Sequence, residues 1–493
     1  MDLSAEVAAR LAAGEAALQR ALSEDPHRPT YHFLPVATWM NDPNGLIQWQ
    51  GQYHLFYQYN PNGLFWGTMH WGHATSPDLV HWTDLPIALA PTPGSPDEDG
   101  VFSGCAVDHD GTPTFIYTGV RGEEQLPCIA TSEDDLLTWQ KHPGNPVIAA
   151  PPEGLDTVMF RDHAAWREED GWYQVIGSGI RDVGGAALLY RSPDLVRWEY
   201  VGPLCVGDAS RTEPLWTGTM WECPDFFPLG DRHVLVVSVR DEENLLYGAS
   251  LVGRYQGHAF TPEALGYVDT PGSFYAPQTL LDDQGRRIML GWLREERSVD
   301  AQVASSLAGV MSLPRVLSLS PDGTLLMNPI AELERLRRDH QAYDNLEIVP
   351  SGIAALPGAE GECLEIVAEI ESHDADRVGL RLRRSPDGEE ETLVVYDHGD
   401  GALTVDASRS SLSQDAHRGV QSLPFRLKDG ELLRLRVYLD RSVIEVFAND
   451  RACLTARVYQ SRPDSRGIGL FVSGGSITVR RLDLWRMASI WEA

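Results

Sequence analysis

The sequence predicts an all-β protein, a five-bladed β-propeller followed by a C-terminal β-sandwich. Two echoes and one change of pattern lead there. Strand-like runs that follow a glycine read GQYHLFYQY from Gly51, GTPTFIYTG from Gly111, GWYQVIGSG from Gly171, GDRHVLVVSV from Gly230 and GRRIMLGWL from Gly285, at intervals of 60, 60, 59 and 55 residues. A second echo runs out of phase with the first. SPDLVHW ends at Trp82, EDDLLTW at Trp139 and SPDLVRW at Trp198, 57 and 59 residues apart. Units of this length, rich in β-branched and aromatic residues and cut by Gly and Pro turns, suit four-stranded blades. An ordinary multi-strand sandwich is the alternative, and it gives no reason for the double register.

The elements follow in chain order. In MDLSAEVAARLAAGEAALQRAL, Val7, Leu11, Leu18 and Leu22 share one helical face, so a short amphipathic helix is expected in an extension over residues 1–30. Charges run through that segment and no continuous apolar stretch interrupts them, unlike a secretory leader. The blades should occupy residues 31–330. NPIAELERLRRDHQAY, Asn328 to Tyr343, reads as a charged helix, giving a linker over 331–345. From 346 to 493 the 60-residue period is gone. Alternating runs such as CLEIVAEI, RVGLRLRR, LLRLRVYLD and SVIEVFAND replace it, each with one face to bury, as in a sandwich.

Composition narrows the partners. A formal net charge of −31 repels nucleic acid and anionic membranes, and suits a small neutral substrate. No apolar run reaches the roughly 18 residues needed to span a membrane. Cys105, Cys128, Cys205, Cys223, Cys363 and Cys453 are scattered without C-x-x-C spacing, so neither a zinc site nor a disulfide framework is expected, and a cytoplasmic location fits best. His70 and His73 in HWGH lack a nearby third ligand and read as packing residues. No glycine-rich phosphate loop appears either, so no metal and no cofactor are expected. Most of the 14 Trp, 16 Tyr and 13 Phe should pack blades, leaving a few as platforms for a sugar ring.

The repeat also places the acids. Asp42, in TWMNDPNGLIQW, lies nine residues before Gly51. Asp162 lies nine before Gly171, and Glu222 eight before Gly230. At the same register stand Phe102 and Ser103 in the second blade, and Tyr275 and Ala276 in the fifth. Equivalent positions in a propeller ring the central axis, so the three acids should converge on one funnel. Taken singly they have plain readings: an Asx-turn for Asp42, an ion pair with Arg161 for Asp162, a surface acid for Glu222. Taken together they are like charges that raise one another's pKa values. Glycoside hydrolysis uses that condition, with one carboxylate ionised to attack and another protonated for the leaving group.

WMNDPNG, FYQYNP, FSG, FRD, WECP and FYAPQ, in that order, resemble the glycoside hydrolase family 32 fructosidases, which include invertases, levanases and inulinases. DRSVIEVFAND, Asp440 to Asp450, is similar to a strand pair of that family's sandwich, and the resemblance runs from about Tyr31 to Trp485. It implies a propeller-plus-sandwich fold with Asp42 as nucleophile, Glu222 as general acid/base and Asp162 as transition-state stabiliser. Trp39, Asn41, Gln58, Trp66, Phe102, Ser103, Arg161, Tyr275 and Trp292 would line the sugar pocket.

The implied activity is retaining hydrolysis of terminal β-fructofuranosyl units, from sucrose and short fructo-oligosaccharides. An exo-levanase, an inulinase or a fructosyltransferase would share every motif. A non-catalytic glycan-binding propeller would be expected to have lost one of the acids, and an enzyme acting on arabinose polymers lacks the WMNDPNG and WECP pair. The sandwich offers a surface through which copies could pair. Two departures stand out: His163 follows Arg161-Asp162 where the family has proline, and Ser273 replaces an acid before FYAPQ.

Overall fold

A computed structural model of the chain describes residues 25–349 and 354–491. The amphipathic helix expected around Val7 to Leu22 lies outside the described residues. The first blade consists of Thr38–Trp49, Gln52–Asn60, His70–Ser76 and Thr83–Leu89, and each successive strand is antiparallel to the last. Four further blades follow. Their inner strands are Gly100–His109, Thr157–Glu168, Met220–Leu229 and Phe274–Leu281. Each inner strand packs on the next, and the fifth packs back on the first.

Both echoes now have a physical cause. The recurring glycine sits in the hairpin between inner and second strands. Gln50 and Gly51 have φ of 49° and 80°, Asp110 and Gly111 of 53° and 89°. Two consecutive positive φ values make the turn whose twist matches antiparallel strands, and glycine adopts the second without strain. The second echo is the turn between third and fourth strands. In SPDLVHW the Asp78 carboxylate accepts from the backbone N–H of Val80 and His81 at 3.1 and 2.9 Å, Leu79 is left-handed, and the Trp82 indole donates to the Leu79 carbonyl at 3.1 Å. Asp194, Leu195 and Trp198 repeat it, with the indole bond at 2.8 Å.

The ring closes through a detour in the fifth blade. Between Arg287–Leu293 and Arg315–Leu319 the chain forms a short helix, Val299–Ser305, capped by the Ser298 side chain. It then lays Leu307 and Ala308 parallel to Thr38 and Trp39. Gly309 follows at φ +87°, where a Cβ would meet the Met40 carbonyl oxygen at 2.0 Å. Only glycine lets the two backbones come this close.

The sandwich stacks two six-stranded antiparallel sheets over a core that includes Leu364, Ile366, Leu380, Val437, Ile444 and Leu484. Its start corrects the expected linker helix over 331–345. A 3-10 turn spans Ala331–Leu336, and Arg337–Ile348 is already a strand, paired with Ile477–Met487. The segment's Glu, Leu, Arg and Gln residues are good helix formers, but sheet pairing and the Arg337 fork onto Glu365, at 2.8 Å twice, override that preference.

The two domains are joined through buried charges. Asp440 accepts from the backbone N–H of Thr30, Tyr31 and His32 and from His32 Nδ1, all within 3.0 Å. Glu445 takes His32 Nε2, the Leu313 N–H and Arg315, and Arg315 reaches Asp269 at 2.8 Å. Burial pushes His32 down, but Asp440 and Glu445 outweigh it and leave its pKa raised, while both acids are lowered. The His32 contribution is therefore complete below its ordinary value and lost as pH rises through the raised one. That of the acids is lost as pH falls through theirs. Arg315→Met should cost about 3–5 kcal/mol in urea unfolding, because it strands Asp269 and Glu445 without their cation.

Candidate active site

Each of the five inner strands breaks register at a matching level of the axis, and the first and third slip a second time. The pairing slips between Met40 and Pro43, Phe102 and Gly104, Arg161 and His163, Glu222 and Asp225, and Tyr275 and Gln278. A bulge adds a residue to one strand, bends it and re-aims a side chain without disturbing the ladder beyond. Asp162, Cys223 and Ala276 take the positive φ this needs, at 61°, 45° and 50°. Asp42, Ser103 and Asp162 are themselves bulge residues, and Glu222 stands at the edge of its bulge.

A pocket of about 380 Å³ opens over these bulges. Asp42, Asp162 and Glu222 line it together with Trp39, Asn41, Gln58, Trp66, Phe102, Ser103, Arg161, Tyr275 and Trp292. The structure thus brings together the three acids and the nine residues named from the sequence for the sugar pocket. Three more line it: Met159, Arg240 and Leu245. Arg240 ends the second strand of its blade, Arg232–Arg240, as Gln58 and Trp292 lie near the ends of theirs. That shared end of the second strands was the signal available for finding it. Trp39 and Trp292 meet edge to face at 5.7 Å, and Trp66 stands at the rim, 60% exposed, with its ring edge-on to Phe102. The buried Trp292 indole N–H has no partner among the described residues and is free to meet a hydroxyl.

The acids differ in their surroundings. Asp42 is half-buried, accepting from Ser103 Oγ at 2.6 Å and Asn41 Nδ2 at 3.1 Å. Asp162 is buried and accepts from the Cys223 backbone N–H at 2.9 Å. Glu222 binds Arg161, Arg240 at 3.0 Å and the Tyr275 hydroxyl at 2.8 Å. Burial pushes Asp42 up, and the Glu222 charge adds to it. Burial likewise raises Asp162 to about 7, against the pull of Arg161. On Glu222, burial is outweighed by Arg161 and Arg240, and its carboxyl is lowered.

Of the two departures, His163 adds no titrating group near neutrality, because burial pushes it down to about 3. Ser273 stands outside the pocket lining. It donates to Glu296 at 2.7 Å and accepts from the Arg457 backbone N–H at 3.1 Å, tying the fifth blade to the sandwich. His73 bonds His54 at 2.9 Å and stacks on Phe56 at 4.1 Å.

Comparison with known proteins agrees with this architecture. Residues 32–329 match the glycosyl hydrolases family 32 N-terminal domain, and residues 332–486 match the glycosyl hydrolases family 32 C-terminal domain. The chain belongs to glycoside hydrolase family 32 and is an enzyme that cleaves fructofuranosides. It is 35% identical to a sucrose-6-phosphate hydrolase of Escherichia coli, over 93% of this chain and 94% of that one. It is also 35% identical to a raffinose invertase of Escherichia coli, over 97% and 99%. The crystal structure of fructan 1-exohydrolase IIa from Cichorium intybus superposes with a TM-score of 0.86 at 28% identity, covering 94% of this chain and 98% of that one.

Proposed function

We propose that the protein is a retaining β-fructofuranosidase that takes terminal fructose from sucrose and short fructo-oligosaccharides. The convergence of three carboxylates from three blades beneath a ring of aromatic side chains carries this reading. Asp42 attacks the anomeric carbon while Glu222 gives its proton to the departing glycosidic oxygen. The C–O bond breaks and a fructosyl ester forms on Asp42. Glu222 then takes a proton from water, whose oxygen attacks the same carbon and restores the Asp42 carboxylate. Asp162 holds fructose hydroxyls more tightly as charge develops on the ring.

The shifts run against those two roles, since burial raises Asp42 while Arg161 and Arg240 lower Glu222. Arg161 is the largest cause lowering Glu222. Fructose hydroxyls that draw Arg161 away would let the Glu222 pKa rise as the sugar seats. Binding thus arms the acid.

Arg161 and Arg240, two cations in the pocket of a chain with net charge −31, favour a second reading in which the leaving sugar carries a phosphate. The kinship with a sucrose-6-phosphate hydrolase fits that reading. The six free thiols suit a cytoplasmic setting. Product release from sucrose, sucrose 6-phosphate, raffinose, inulin and levan, assayed side by side, ranks the leaving groups. NMR of the first-formed fructose should show the β anomer before mutarotation. Immediate α-fructose would overturn the double displacement.

A further inference from the structure

Asp42 and Asp162 are held by parts of the chain that meet on one hydroxyl, that of Thr118 in the second strand of the second blade, Thr112–Arg121. Thr118 Oγ1 lies 3.1 Å from the Ser103 carbonyl oxygen, 2.9 Å from the Asp162 backbone nitrogen and 3.1 Å from His163 Nε2. A threonine hydroxyl has one proton to give and two lone pairs to fill. The Ser103 carbonyl can only accept, so the proton goes there. The Asp162 N–H can only donate, so it fills one lone pair. The second is left for His163, which must therefore present Nε2–H. This matches the neutral state that burial imposes on the ring, with Nδ1 unpartnered among the described residues.

We propose that His163 is a positioning residue for the hydrolysis. Its Nε2–H completes the Thr118 hydroxyl, which locks the Ser103 and Asp162 bulges together and so fixes Asp42 against Asp162. Ser103 is the link to Asp42, since its own hydroxyl donates to that carboxylate at 2.6 Å. Proline at position 163 has no side-chain donor, so a chain with it must hold these two bulges some other way. The histidine is buried, with 1% of its surface exposed, and does not line the pocket that holds the three acids. It acts through Thr118 alone.

This inference rests on the three-acid reading, and its test separates the two. kcat and KM for sucrose would be measured per folded enzyme for the wild type, His163→Leu, His163→Gln, Thr118→Val and the Leu/Val double variant. His163→Leu should lower kcat about tenfold to a hundredfold, the cost of a small misplacement of reacting groups, with KM changed far less. His163→Gln, whose amide N–H reaches the same hydroxyl, should keep most of the rate. Thr118→Val also removes the bonds to the Ser103 carbonyl and the Asp162 N–H, so it should lose at least as much as His163→Leu. The double variant should lose little more than Thr118→Val alone, because the histidine acts only through that hydroxyl. A His163→Leu enzyme with near wild-type kcat would overturn the proposal, as would a Gln variant no better than Leu or fully additive losses. If Leu fails to fold, the Gln variant and the Thr118→Val comparison still decide. A wild type that hydrolyses no fructoside would overturn the functional reading itself, and this one with it.

Discussion

Asp42→Ala is expected to lower sucrose hydrolysis by on the order of 10⁴–10⁶-fold at every pH, the scale seen when a covalent nucleophile is removed. The size follows from placement. Asp42 sits in a bulge at the pocket floor, oriented by Ser103 Oγ and Asn41 Nδ2, and no other carboxylate has that position. The variant should stay folded, since the flanking pairs Met40 to Tyr59 and Pro43 to Tyr57 do not depend on its side chain. Added azide should restore part of the turnover by attacking directly, giving a fructosyl azide of inverted configuration. A folded Asp42→Ala enzyme with near-normal activity would mean that the Asn-Asp-Pro-Asn-Gly stretch is turn chemistry and nothing more.

The second large effect belongs to Glu222→Ala, and its size should depend on the leaving group. On sucrose the loss should be about 10²–10⁴-fold, the usual worth of a positioned proton donor. On an activated fructoside, whose leaving group departs without a proton, the first step should be nearly untouched. The pH profile gives an independent readout. A general acid works only while protonated, so wild-type activity should fall as pH rises through the Glu222 pKa of the sugar complex. The variant should lack that limb. An equal loss on sucrose and on the activated fructoside would remove Glu222 from the proton-transfer role.

The ring of acids was legible because the propeller imposes one register on every blade, and hairpin glycines mark that register in the sequence. What the register could not convey is the bulge. Asp162, Cys223 and Ala276 are ordinary letters in a strand pattern, and only the backbone shows their positive φ. Met159, Arg240 and Leu245 were missed because none belongs to a motif, although Arg240 ends a second strand as Gln58 and Trp292 nearly do. The charged run after Asn328 misled for another reason. Its composition favours a helix, while its fate is decided by Glu365 and by the strand Ile477–Met487, far away in sequence. The junction of His32, Asp269, Arg315, Asp440 and Glu445 was equally hidden, because charged residues spread over 400 positions read as surface until the fold buries them.

The seam between Thr38–Trp39 and Leu307–Ala308 bears on how the protein is made. A ribosome delivers Asp42 early, yet the strand carrying it has no partner on its far side until residue 308 emerges. At 5–20 residues per second that wait is about 15–50 s. During it the nascent chain holds four blades in an open arc, with Trp39 lacking Trp292 and the pocket lacking Tyr275. Asp440 then has to arrive before the segment Thr30–His32 finds its acceptor. Catalytic competence is therefore a late event in synthesis, and a shortened product ending between Glu222 and the seam carries all three acids but no closed site.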